Sequence, residues 1–254
     1  MEEKDRMLLR LSAASETISM DRKKKSRSFQ NPDMTYQQIL NKIIESYPSL
    51  DSNWIRAEEK IREPILQYEE TDWDFLLRLS SHFHTGIVGR RGSGGTMLSL
   101  AREKGNERTV RESEIIGWGI SETYFSNGSY KVGMAVGDSA YLIVKTKASW
   151  WWGDYVFFEN ASYQLYEKQI VFRRGELQFI YWLGRPGVFY QKKAFHRKLA
   201  GVSLEGTVKR VEDERVYIQL DIDQKEGADY PWRWTPYTNH FSYCMPETDT
   251  RVCL

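Results

Sequence analysis

The sequence predicts a mainly β protein with a short helical insert, which places the chain in the α+β class. Up to about residue 84, apolar residues recur at helical spacing in two segments. After Gly86 the chain changes to runs rich in β-branched and aromatic residues, interrupted by Gly or Asn. Near the C-terminus apolar and polar residues alternate one by one, as in a strand with one buried face. With 254 residues, 41% of them hydrophobic, the chain can form one large or two modest domains.

The segment 18–31 (ISMDRKKKSRSFQN) is basic and polar, and we interpret it as a link. Its charged run extends from Arg22 to Lys25 and includes Arg27. Such a run could bind nucleic acid, but no aromatic residue beyond Phe29 is interleaved with it. A solvated linker is therefore the favoured interpretation.

Residues 35–47 predict the first helix. A capping-box pair, Thr35 and Gln38, opens it, Pro48 ends it, and five apolar residues share one face. A second helix begins with Thr71 as its N-cap. Its apolar stripe consists of Trp73, Leu76, Leu77, Leu79 and Phe83. The residues expected to face water are Asp72, Asp74, Arg78 and Ser81.

Strands are predicted at 114–124, 140–146, 155–158, 163–172 and 177–183. Asn127-Gly128 is a hairpin signal, and the glycines between residues 86 and 95 are typical of a mobile loop. In the last segment, residues 208–211 form a hairpin with a strand in which Val216, Ile218, Leu220 and Ile222 face a core. Residues 201–254 supply three or four strands, fewer than a closed five-stranded OB-type barrel needs.

Chemical sites find little support in the sequence. The carboxylates Glu69, Glu70, Asp72 and Asp74 could act in acid–base catalysis, but acids favour helix N-termini for dipole reasons alone. His82 and His84 lack further metal ligands at zinc spacing, and the loop 86–96 lacks the ending of a phosphate-binding loop. Trp150, Trp151 and Trp152 could stack on sugars or bases, although core or subunit packing is favoured. We expect no catalytic residue, metal or cofactor.

The chain is nearly neutral, with 36 basic and 35 acidic residues, so bulk charge predicts no nucleic-acid or acidic-membrane partner. Its two cysteines, Cys244 and Cys253, are too few for a disulfide scaffold, and free thiols are expected. The first 16 residues carry charge where a signal peptide needs an apolar core. We therefore expect synthesis in the cytoplasm, with export only if other proteins carry the chain out.

Several blocks resemble the hub-spike proteins of contractile injection machines, the family of phage late control protein D and VgrG. They are SRSFQN (26–31), MTYQQI (34–39), QYEETDWDFLLRLSSHF (67–83) and the stretch 196–254, which includes WTPYTNHFSYCMPETDTRV. The family's hub module contains two barrels with helices between them. The resemblance thus implies a linker and remnant of the first barrel at 1–34, a helical insert at 35–84, a second hub-type β-barrel at 85–199 and an incomplete OB-like spike barrel at 200–254. The missing parts are expected before Met1 and after Leu254.

The resemblance implies a structural function. Three copies would form a homotrimer that joins a tail tube to a piercing spike in a phage tail or in a related injection or type VI secretion apparatus. The implied partners are the tube and baseplate proteins and spike-tip or effector proteins, with transient contact with a target envelope. Our candidates for subunit contacts are Trp232, Trp234, Tyr237 and Phe241, weighed against core packing.

Two alternatives remain open. One is a tail-associated cell-wall hydrolase whose catalytic domain is not in this chain. The other is an OB-fold protein that binds oligosaccharide or nucleic acid, which predicts a monomer with a basic or aromatic groove.

Overall fold

The computed structural model describes residues 15–54, 58–91, 95–173, 175–223, 227–235 and 244–254. The strands are β1 Lys24–Phe29, β2 Leu50–Ser52, β3 Ile65–Thr71, β4 Ile87–Arg91, β5 Thr96–Leu100, β6 Ile115–Ile120, β7 Ala140–Thr146, β8 Tyr155–Phe158, β9 Ala161–Arg173, β10 Glu176–Gly184, β11 Glu205–Glu212, β12 Arg215–Leu220, β13 Trp232–Arg233 and β14 Arg251–Cys253. The α-helices are α1 Tyr36–Ile44, α2 Asp72–Ser81 and α3 Thr123–Ser126. Short 3₁₀ segments lie at Glu16–Asp21, Glu112–Glu114, Ser129–Val132, Val136–Ser139, Pro186–Phe189 and Arg197–Leu199. The predicted mainly β fold with a helical insert is confirmed.

The first part of the chain packs α1 and α2 between two small sheets. β1 pairs antiparallel with β3, while β2 and β4 flank β5 in a three-stranded sheet. Apolar side chains from the helices and these strands form one core. Its fully enclosed members include Met20, Ile39, Leu40, Ile43, Phe75, Leu76, Leu79 and Leu98.

Both predicted helix starts are confirmed. The Thr35 hydroxyl accepts a hydrogen bond from the Gln38 amide at 3.3 Å, and the Gln38 side chain accepts one from the Thr35 amide at 2.9 Å. The Thr71 hydroxyl likewise accepts from the Asp74 amide at 3.1 Å. These pairs satisfy amides that have no partner within the first helical turn. The prediction that Asp72 and Ser81 face water is wrong, since both are buried.

The predicted link at 18–31 is wrong. Its residues form the 3₁₀ segment Glu16–Asp21 and then strand β1. A basic stretch can form a strand here because a buried carboxylate on α2 binds two of its cations, Lys25 and Arg27. That partner is distant in sequence, so the local pattern does not reveal it.

The middle of the chain forms a five-stranded antiparallel sheet in the order β6-β7-β10-β9-β8. Four of its strands lie where they were predicted. The fifth, predicted at 114–124, ends as β6 at Ile120, and α3 follows. One face of the sheet covers a core that consists of Leu142, Val144, Trp150, Val156, Tyr163, Leu165, Phe179, Tyr181 and Leu183.

Two turn predictions are wrong. Asn127-Gly128 does not form a hairpin: Asn127 ends α3, and Gly128, with φ +66°, leads into the next 3₁₀ segment. A left-handed glycine ends helices as readily as it closes hairpins, which explains the misreading. The predicted mobile loop 86–95 lies mostly in the β4–β5 hairpin, whose pairs run from Ile87 with Leu100 to Arg91 with Thr96. Residues 92–94 lie outside the described part of the chain.

The last part of the chain forms an antiparallel sheet in the order β13-β12-β11-β14. The predicted β11–β12 hairpin is confirmed, although β12 ends at Leu220 instead of including Ile222. Tyr217, predicted to face solvent, is buried because its ring lies under the Arg210 guanidinium at 3.6 Å. The OB-like barrel and the four predicted segments, with their three boundaries, stay predictions.

Polar contacts join this last sheet to β1. The Asp223 carboxylate accepts hydrogen bonds from the Ser28 amide and hydroxyl, both at 2.5 Å. Buried Gln30 donates to the Ile218 carbonyl at 3.2 Å. Leu66 and Tyr68 of β3 also pack against the core of this sheet. The N-terminal strands and the C-terminal sheet thus share one packed junction.

Candidate functional site

Of the predicted carboxylate cluster, Asp72 lies in a buried ion-pair network. Asp72 is fully buried and binds Lys25 Nζ at 2.5 Å and Arg27 Nη2 at 2.7 Å. The Tyr47 hydroxyl and Gln67 Nε2 donate to it at 2.8 and 2.9 Å. Burial alone would raise the pKa of Asp72, but these hydrogen bonds and the Arg27 charge outweigh it and lower the pKa. Burial and the bond to Asp72 raise the pKa of Tyr47 to about 12.

The two histidines that were considered as metal ligands have separate roles. His82 is half-buried, with its Nδ1 2.8 Å from the Tyr36 hydroxyl. Burial and the nearby positive charges lower its pKa to about 4. His84 is exposed and stacks on Tyr190 at 5.3 Å. Among the described residues, no group of three or more His, Cys, Asp or Glu side chains could hold a metal ion.

The three consecutive tryptophans lie in the turn between β7 and β8. Trp150 is 3% exposed and stacks on Tyr181 at a centroid distance of 4.8 Å, so it belongs to the core. Trp152 is partly buried against the same core, whereas Trp151 is 54% exposed. Their arrangement separates the rings instead of aligning them as one stacking platform.

The predicted subunit-contact residues are placed in part. Trp232 and Trp234 are partly buried against the C-terminal core. The indole of Trp232 donates to Gln30 Oε1 at 3.2 Å, and that of Trp234 donates to the Cys244 carbonyl at 2.8 Å. Tyr237 and Phe241 lie outside the described residues. A role of these four residues in subunit contacts stays a prediction.

Exposed apolar side chains are most frequent at residues 116–136, apart from the predicted contact residues. We call this segment the neutral surface, because it contains only one acidic and one basic residue. Within the described part of the chain, it contains seven of the fifteen large hydrophobic side chains that are exposed. They are Ile116, Trp118, Ile120, Phe125, Tyr130, Val132 and Val136. Soluble monomers rarely expose large contiguous apolar patches, so this segment is a candidate interaction site.

Strand β6 explains how three of these side chains come to face solvent together. Trp118 and Ile120 alternate with Gly117 and Gly119, so here large side chains project from one face only. Ile116 lies at a register shift between Ile115 and Gly117. On the other face, a Cβ at Gly119 would lie 2.8 Å from the Tyr141 hydroxyl. Trp118 pairs with Leu142, a core residue, and therefore lies on the core side of the sheet. It is nevertheless 79% exposed, whereas Ile115 at the start of the same strand packs against this core.

The rest of the neutral surface is the helical connection between β6 and β7. Its buried Tyr124 donates a hydrogen bond to the Met134 carbonyl at 3.3 Å. The Asn127 side chain donates to the Tyr190 carbonyl at 2.6 Å. These bonds fix the connection against the body of the protein while Phe125, Tyr130 and their apolar neighbours stay exposed.

A second exposed apolar group lies at the hairpin tip, defined by Ile170, Phe172 and Leu177 of β9 and β10. Leu177 pairs with Phe172, and Ile170 pairs with the buried Phe179. Phe172 and Leu177 therefore continue the core face of the sheet beyond Thr146, where the pairing with β7 ends, and Ile170 lies level with Thr146.

Sequence reasoning missed the neutral surface. A usable signal was present: IGWGI alternates large apolar residues with glycine, and residues 116–136 include only two charged side chains, Glu122 and Lys131. A mainly apolar segment without charge is ordinarily assigned to a core, so burial has to be known before this signal can be interpreted.

Comparison with known proteins shows what this chain is similar to. Residues 2–111, less than half of the chain, match the sequence model of the phage tail baseplate hub family (GPD). Among solved structures, the E. coli c3393 protein superposes with a TM-score of 0.59 at 15% identity, over 94% of this chain and 72% of that one. The predicted resemblance to this family is thus confirmed.

The c3393 protein is described as a component of the type VI secretion system with structural similarity to the T4 bacteriophage tail proteins gp27 and gp5. This chain also superposes on the 43 kDa tail protein of prophage MuSo2 from Shewanella oneidensis, with a TM-score of 0.50 at 10% identity over 71% of each chain. No curated protein matches the sequence. Within the described residues, no helix combines the length and apolar composition needed to cross a membrane.

Proposed function

We propose that this chain forms a homotrimer that joins a tail tube to a piercing spike in a phage tail or a related injection apparatus. The family match and the shared fold supply the setting. The neutral surface is the observation that carries the proposal, because it concentrates exposed apolar side chains on a firmly held part of the fold. A component that works inside an assembly buries such a surface against its neighbours, whereas a free monomer leaves it in water.

The role is mechanical, and the partners are the tube and baseplate proteins on one side and spike-tip or effector proteins on the other. The buried polar networks suit this role. Asp72 joins α2 to β1 through ion pairs, and Asp223 joins β1 to the C-terminal sheet through hydrogen bonds. A mechanical force on the C-terminal sheet would therefore be transmitted to β1 and α2 through these bonds. The protein would act after its incorporation into the tail or injection apparatus.

The solution mass of the purified chain tests the homotrimer. Light scattering over a wide concentration range is expected to show three times the mass of one chain at high concentration. A tube protein from the same tail, added at equal concentration, should co-elute with the trimer. A monomer that binds an oligosaccharide or a single-stranded nucleic acid would instead support the OB-fold alternative.

Catalysis is tested separately. Purified peptidoglycan incubated with the chain is expected to release no soluble fragments beyond the amount in a heat-denatured control. Release that increases with protein concentration would contradict the purely mechanical role and favour a cell-wall hydrolase.

A further inference from the structure

We propose that the neutral surface packs against the hairpin tip of a second copy of this chain. The inference rests on the proposed homotrimer and names the two parts of the chain that form its contact. Its experiment separates failure of this contact from failure of the homotrimer.

Charge favours a second copy as the occupant. Residues 116–136 contain one acidic and one basic side chain, whereas a 21-residue segment of this chain's average composition would contain about six charged residues. The two opposite charges leave the surface without a field that would select a charged partner. A membrane-binding face would carry several Lys or Arg residues around its apolar centre. Here the segment contains one, Lys131, and Lys192 approaches the same place beside Gly128. Depletion of charge is typical of contacts within permanent homo-oligomers.

The backbone of β6 supports the same conclusion. β6 is the end strand of the five-stranded sheet, and its outer edge has no strand partner among the described residues. At the other end, Tyr155 at the start of β8 bonds to residues 106–108, with the Arg108 amide 2.7 Å from the Tyr155 carbonyl and the Tyr155 amide 3.0 Å from the Asn106 carbonyl. An uncovered apolar edge strand is a site for association with another chain. Among the described residues, β6 has no comparable backbone partner along its outer edge.

Threefold symmetry requires the neutral surface of one copy to contact a different surface on the next copy. Around a threefold axis each contact is heterologous, so a surface on one copy faces a different surface on the next. The hairpin tip fits this requirement. It offers exposed Ile170, Phe172 and Leu177, and it lies away from the β6 edge at the ends of other strands in the same sheet. Joining the two removes both apolar surfaces from water at once.

Two charge-introducing variants test the contact: Trp118→Glu on the neutral surface and Phe172→Glu on the hairpin tip. Each replaces an exposed side chain, so folding should be retained, and circular dichroism melting checks this. Each variant is expected to weaken self-association at least about 30-fold, the equivalent of losing a contact worth about 2 kcal/mol at the centre of an interface. Trp151→Glu is the matched control, because Trp151 is an exposed tryptophan outside both surfaces.

Mixing the two variants provides the decisive measurement. A Trp118→Glu copy keeps an intact hairpin tip, and a Phe172→Glu copy keeps an intact neutral surface, so one native contact can form between them. Sedimentation velocity should show that the mixture forms heterodimers while each variant alone stays monomeric. A contact between two neutral surfaces would not be restored by mixing.

The other outcomes overturn the inference. If the chain forms trimers and Trp118→Glu forms them equally well, the neutral surface is wrong and the homotrimer stands. If Phe172→Glu has no effect, the hairpin tip is wrong. If the unmodified chain is a monomer at every concentration, both the contact and the homotrimer fail. Co-sedimentation of a monomer with phosphatidylcholine–phosphatidylglycerol vesicles that depends on Trp118 would assign the surface to a membrane instead.

Discussion

Two aromatic regions of this protein face in opposite directions. Trp232 and Trp234 pack inward, where their indole nitrogens donate hydrogen bonds to Gln30 and to the Cys244 carbonyl. Trp118 and Phe125 face outward, on a segment with almost no charge. The inward pair lies among charged and polar residues, whereas the outward pair does not. Aromatic content alone therefore does not identify an interface; absence of charge combined with exposure is the more informative observation.

Asp72→Ala is expected to destabilise the protein more than any other variant considered, because it removes a buried carboxylate from the interior. It would leave Lys25 and Arg27 without their shared carboxylate in a partly buried site, so we expect a loss of about 3–5 kcal/mol in the free energy of unfolding. Denaturant titration of both proteins measures the difference. Because the pKa of Asp72 is lowered by folding, this contribution is present above the pKa of an unfolded Asp and is lost as pH falls through the folded value.

Asp74→Ala is the matched control for Asp72→Ala. Asp74 lies on the same first turn of α2 but is exposed, so its removal should cost no more than about 1 kcal/mol, mainly through the helix dipole. Equal losses for the two variants would contradict the ion-pair role of Asp72.

The Asp72 network also shows what the sequence could predict. Thr35, Gln38 and Thr71 announce the helix starts because capping depends on residues three positions apart. Strand β1 was missed because Asp72, which binds its Lys25 and Arg27, is more than forty residues away. Local physics predicted helices α1 and α2 and the positions of strands β6 to β12, while contacts between distant segments decided strand β1.

Trp232→Ala tests whether the inward tryptophans contribute to the fold. The variant removes a partly buried ring and leaves the Gln30 side chain without its indole partner, so we expect a loss of about 2–3 kcal/mol, below that of a fully buried tryptophan. Thermal and denaturant unfolding measure it. A change below about 0.5 kcal/mol, together with weaker trimers, would instead return Trp232 to the predicted subunit contacts.

The half-buried His82 is expected to make the stability of the protein depend on pH. Its folded pKa of about 4 lies below the ordinary value of 6.5, so the unfolded chain takes up a proton first as pH falls. Stability should therefore decrease between pH 6.5 and about pH 4, by at most about 1.4 kcal/mol per pH unit from this group. His82→Gln should remove this part of the pH dependence, whereas His84→Gln, at an exposed position, should leave it unchanged. If stability falls equally with pH in His82→Gln and in the unmodified chain, His82 is not the group responsible for the pH dependence.

The candidate site was harder to predict than the fold. IGWGI is a plausible buried strand by composition, and only its position at the sheet edge shows that Ile116, Trp118 and Ile120 reach solvent. The predicted site residues were chosen for their aromatic content, but the packing of Trp232 depends on Gln30, a residue from the other end of the chain. Exposure is a property of the assembled fold, so sequence periodicity cannot supply it.

Trp118→Ala is the variant expected to change stability least. It is also the most direct test of the difference between the inward and the outward aromatic regions. The side chain is 79% exposed, so its removal should change the free energy of unfolding of the monomer by less than about 0.5 kcal/mol. The same change should weaken self-association, because there the ring becomes buried. Denaturation at low concentration and sedimentation at high concentration separate the two effects. A loss of monomer stability as large as that of Trp232→Ala would mean that Trp118 packs within its own chain, and the distinction between the inward and outward regions would fail.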